Sequence, residues 1–171
     1  MKTSTRQITL IALFLALCVI VPFLFHLIGA GALFLPMFIP ILLAGFIIEF
    51  PLAMLVGMLG PWCSALITGM PPLFPTALFM SVEGMTAAGV VSYLFHNKKW
   101  SIWLCLILGI LFERFSLVIM GIIIAPLLKL PPEFFSIYKL IESLPGVILQ
   151  LVLIPTILKL LLKDHIFKQK T

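Results

Sequence analysis

Ionisable side chains are scarce in this chain, and two of them stand inside long apolar runs: Glu83 and Arg114. A carboxylate and a guanidinium in such surroundings can pair with each other, or can both reach one bound polar solute. Either way the chemistry is recognition. The residues that bond-making needs are missing: there is no GxxxxGK[ST] nucleotide loop, no HExxH pair and no Ser/His/Asp set. His26, His96 and His165 are dispersed, and Cys18, Cys63 and Cys105 stand singly with no CxxC. The cysteines read as small packing residues. The expectation is a protein without a catalytic residue, metal site or cofactor, and not an enzyme.

Composition says what surrounds these residues. Of 171 residues, 63% are hydrophobic and 10% charged, with mean hydropathy +1.28. A soluble domain of this size cannot hide so much apolar surface, because over half of its accessible area still faces water. Lipid is the natural solvent, and the expected class is an all-α polytopic membrane protein, one integral domain over residues 1–171. The net charge of +5 does not indicate nucleic acid, because the basic residues flank apolar runs, where they set topology. MKTSTRQ and the apolar run behind it resemble a secretory signal, but the run exceeds a usual signal core and reads as a retained span.

Six spans are expected, at about 6–28, 34–50, 52–68, 74–95, 101–125 and 141–162. The second is short. Glu49-Phe50-Pro51 permits only a tight turn before the third, since proline disfavours helix at the residue before it. A hairpin there, with fewer full crossings, is the alternative. With six spans, eight of the eleven basic residues fall on one side: Lys2, Arg6, Lys98, Lys99, Lys159, Lys163, Lys168 and Lys170. Lys129 and Lys139 fall on the other. The excess places both termini in the cytoplasm. Connections 29–36, 69–75 and 126–140 then face outside, and the last, with Phe134, Phe135 and Tyr138, suits a short lid or an interfacial anchor.

Depth brings the two charged residues together. Glu83 follows Pro75 by eight residues, ~12 Å at the helical rise, and Arg114 precedes Ala125 by eleven, ~16 Å. Their spans are sequential and antiparallel, so both lie at similar depth. They are expected to face a shared interior, as an ion pair or as a solute site. Glu113 points about 100° away round the helix and is expected to meet another partner. Trp62, Thr68 and Thr76 extend the candidate site, with Ser64, Ser81, Glu142 and Gln150 near it. Serine and threonine in membrane helices also serve as interhelical hydrogen bonds. In the first span Ala12 and Ala16 clear one face for close contact, inside the protein or with another subunit.

Several elements in order resemble one family. They are the Ala12/Ala16 pair, Leu35-Pro-Met-Phe-Ile-Pro40, the run from Ala53 through Gly57 and Gly60-Pro61, Thr68-Gly-Met-Pro-Pro-Leu-Phe-Pro75, Glu83, Glu113-Arg114 and Gly121. Together they are similar to the substrate-binding S components of energy-coupling factor (ECF) vitamin transporters. The resemblance covers nearly the whole chain and implies a compact six-helix bundle in the bacterial cell membrane. It implies high-affinity capture of a small vitamin or precursor from outside, and association with a transmembrane T component and two cytoplasmic ATPase subunits. Ala12 and Ala16 would dock on the T component, and loop 29–36 would gate the solute. Phe38 stands where the family's LPM-x-IP element often has histidine, which implies a different or less polar solute and adds Phe38 to the candidate site. The few polar groups at depth favour a pyrimidine or pyridine precursor, with pantothenate or another vitamin next. A stand-alone facilitator or channel, or a non-catalytic membrane assembly subunit, is the competing reading.

Overall fold

The structure, a computed structural model, describes residues 5–29, 31–130, 141 and 143–163. Every regular element among them is helical. Helix α1 (Thr5–Leu27) leads through a single turn, α2 (Gly31–Phe34), to α3 (Phe38–Ile47) and α4 (Leu52–Thr68). A wide turn, Leu73–Ala77, opens α5 (Leu78–Ser92), and a second, Tyr93–Asn97, closes it. Helices α6 (Ile102–Leu127) and α7 (Leu144–Lys163) follow. These are the six apolar helices expected, with α2 as an added turn.

Four are long and apolar enough to cross a bilayer: α1, α5 with its flanking turns, α6 and α7. The other two are shorter. Helix α3 has ten residues, ~15 Å of rise against a hydrocarbon core of about 30 Å. Its residues 38–46 are all buried. It is apolar on every side because it is enclosed by protein, and an enclosed helix reads in sequence like one facing lipid.

Helix α5 is the centre of the bundle and packs on α3, α4 and α6; α1 packs on α4. The α4–α5 crossing is set by two glycines. A Cβ on Gly57 would overlap the Gly84 carbonyl, and one on Gly84 would come within 2.7 Å of the Gly57 carbonyl oxygen. The two backbones touch, so Glu83, next to Gly84, is held at a fixed depth. Gly84→Val is expected to destabilise the protein by about 1–3 kcal/mol or more, because a backbone carbonyl cannot swing aside as a side chain can. A lowered unfolding midpoint in detergent would be the readout, and an unchanged midpoint would contradict the packing.

The near end of the bundle is tied by Ser92, whose hydroxyl donates to the Ile48 carbonyl at 2.8 Å, and by the Phe50–Tyr93 ring contact. At the far end α4 stops at Gly69, in the left-handed region at φ 76°, with its N–H bonded to the Ala65 carbonyl. The Pro71–Pro75 segment then turns the chain into α5.

Candidate functional site

At that far end the chain leaves a cavity of about 310 Å³. Helix α1 contributes Pro22 and His26, the following loop contributes Gly31 and residues 35–38, and the turn after α4 contributes Met70 and Pro71. Thr76, Phe79, Met80 and Glu83 come from the wide turn and α5, Arg114 and Leu117 from α6, and Ser143 from the residue before α7. Antiparallel succession is what gathers them: α1, α4 and α6 end here, and α3, α5 and α7 begin here.

Of the residues singled out in the sequence, Glu83, Arg114, Phe38 and Thr76 line this cavity. Trp62 and Thr68 do not. The Thr68 hydroxyl is within reach of the Ser64 carbonyl (2.8 Å) and the Met70 carbonyl (3.1 Å), and its oxygen accepts from the Met70 N–H. Ser64 Oγ donates to the same Met70 carbonyl at 2.8 Å. These two hydroxyls hold the turn that carries Met70 and Pro71 into the rim, so Thr68 acts on the cavity through the backbone. Ser81 Oγ donates to the Ala77 carbonyl one turn back. The lid expected in 126–140 falls mostly on residues 131–140, which with Glu142 lie outside the described residues.

The charged residues are arranged differently from the simplest expectation. Arg114 Nη2 lies 3.0 Å from Glu113 Oε1, although the two were expected to face different targets. The long arginine stem folds back toward its neighbour, and Glu113, fully buried, needs a nearby cation. The contact is an ion pair by distance without hydrogen-bond geometry, because Arg114 Nε and Nη2 and both Glu113 oxygens have no hydrogen-bond partner. Among the described residues the Glu83 carboxylate has neither an ion-pair nor a hydrogen-bond partner. It is 5% exposed, and its surface is the cavity wall.

Between the two acid-bearing turns, hydroxyls lock α5 to α6. Thr86 Oγ1 lies 2.8 Å from the Glu83 carbonyl and 3.2 Å from Ser116 Oγ, and Ser116 donates to the Glu113 carbonyl at 2.7 Å. The two acid-bearing turns are thereby fixed against each other. Sequence reasoning passed over His26 as isolated. Its Nδ1 lies 2.7 Å from the Pro22 carbonyl, an acceptor, so Nδ1 carries the proton and donates. Its ring lies against Gly31, where no side chain would fit. The LPM element at Leu35–Met37, adjoining Phe38, was the available signal that loop 29–36 returns to this end.

A cavity of this size, with apolar walls and two charged groups at depth, has the form of a small-molecule binding site. A family profile described as ECF transporter, substrate-specific component, matches residues 6–159. The chain belongs to the family of ECF transporter substrate-specific components. No curated protein matches it. As an ECF substrate-specific component it is a membrane transport subunit, from a family of binding subunits and not of enzymes, that associates with T and ATPase components. Helix α1 fits such an association: Phe14, Cys18 and Pro22 are buried, while Ala12 and Ala16 are exposed. Two residues round a helix is about 200°, so the small residues lie nearly opposite the packed stripe.

Proposed function

We propose that this ECF component captures a small vitamin or vitamin precursor from outside in the far-end cavity, and that partner subunits drive its uptake with ATP. The observation that carries the reading is the cavity itself, about 310 Å³ with Glu83 and Arg114 in its wall. That volume is at the lower end for small-molecule sites and favours a compact solute. The cluster of basic residues at the near end supports placing both termini in the cytoplasm, which opens the cavity outward. Gly31, Leu35 and Pro36 at its rim support loop 29–36 as the gate.

The exposed Ala12 and Ala16 support T-component docking, since small residues let helices approach closely. A stand-alone channel is less well supported, because the near half of the bundle is filled by buried α3 side chains, among them Ile41, Leu42 and Phe46. Mass spectrometry of solute released from the purified protein tests the reading. One small vitamin-like compound should be enriched over an unrelated membrane protein prepared in parallel, and its absence would count against capture.

A further inference from the structure

The charges around the cavity reach further than its volume. This step rests on the cavity being the solute site and addresses which charge class of solute it holds. Three ionisable side chains stand together on α5 and α6: Glu83, Glu113 and Arg114. Glu113 is outside the cavity wall and sits 3.0 Å from Arg114. The guanidinium that looks into the cavity is therefore already offset from behind. Glu83 has no ion-pair or hydrogen-bond partner among the described residues, so of the two acids its carboxylate is the one without a cation in contact. Lys129, another described cation from this end, is exposed and does not line the cavity. His26 donates through Nδ1 to the Pro22 carbonyl.

We infer that the solute carries one positive charge on nitrogen, held by Glu83, and presents a neutral acceptor to the part of the Arg114 guanidinium that lines the cavity. A carboxylate in low-dielectric surroundings gains far more from a cation than it would in water. Phe38 and Phe79 place aromatic rings, and Met37 and Met80 polarisable sulfur, in the cavity lining. An anion would meet Glu83 directly and an arginine whose charge Glu113 already offsets.

Three probes of different charge, each compared between the unaltered protein and Glu83→Gln, separate the classes in calorimetry on the purified full chain: thiamine (a fixed cation on a pyrimidine-bearing molecule), pyridoxine (neutral) and pantothenate (an anion). Thiamine should bind at least about tenfold tighter than the other two. Glu83→Gln, which keeps size and hydrogen bonding but removes charge, should erase that preference. Glu113→Gln frees Arg114 and should move the preference toward pantothenate. Tightest binding of pantothenate by the unaltered protein, or an order of affinities that Glu83→Gln leaves unchanged, would overturn the inference while leaving capture in place. No binding of any probe together with no co-purifying solute would overturn the solute site, and the inference with it.

Discussion

Glu83→Ala is expected to weaken solute binding by at least roughly thirtyfold, about 2 kcal/mol, while raising the unfolding midpoint of the solute-free protein. The two effects have one cause. A buried carboxylate without a partner costs stability in the empty protein, and that cost is relieved when the solute supplies the partner. Glu83 faces an existing cavity, so its truncation encloses no new void. Glu113→Ala is the contrasting variant. It strands the Arg114 guanidinium in an apolar helix pair and should destabilise the fold by about 3–5 kcal/mol. Thermal unfolding in detergent, with and without the co-purified solute, reads both. If Glu83→Ala destabilises as Glu113→Ala does, Glu83 is a structural charge and the binding role is lost.

The second large effect concerns assembly. Ala12→Trp with Ala16→Trp should abolish co-purification with the T component and leave solute affinity within about threefold. The reason is placement: both alanines are exposed on α1, so indoles there meet no residue of this chain but block a close helix approach. Nothing on the cavity side of α1 changes, since Pro22 and His26 lie beyond and the packed stripe is untouched. Pull-down and calorimetry on the same preparation separate the outcomes. Equal loss of both activities would mean that the alanines serve the fold.

Much of this was legible in the sequence because membrane helices obey simple metrics. Apolar runs and their proline-marked breaks delimit six helices. Antiparallel order brings positions 83 and 114 to the same helix pair, where both line the cavity. The same order places Thr76 and Phe38 at one end. Which residues share a cavity is a question of rotation as well as depth, and there the reading thinned. Trp62 and Thr68 belong to α4 but do not line the cavity, and Thr68 is taken up by the turn at Met70. Helix α3 was legible as an apolar run but not as an enclosed one, because burial in protein and exposure to lipid demand the same residues.

Sequence by itself determined the apolar class and the succession of helices, since these follow from composition and period along one chain, and the order of its motifs carried the resemblance to ECF components. Tertiary structure decided who meets whom. It turned Arg114 back onto Glu113, left Glu83 facing open space, drew His26 and Ser143 from distant segments into the wall, and put Ala12 and Ala16 on the outer face of α1. Those outcomes depend on how each helix is rotated about its axis. That rotation is fixed by contacts between helices, such as Gly57 against Gly84 and the Thr86–Ser116 hydroxyl pair, and no local pattern in a single helix specifies it.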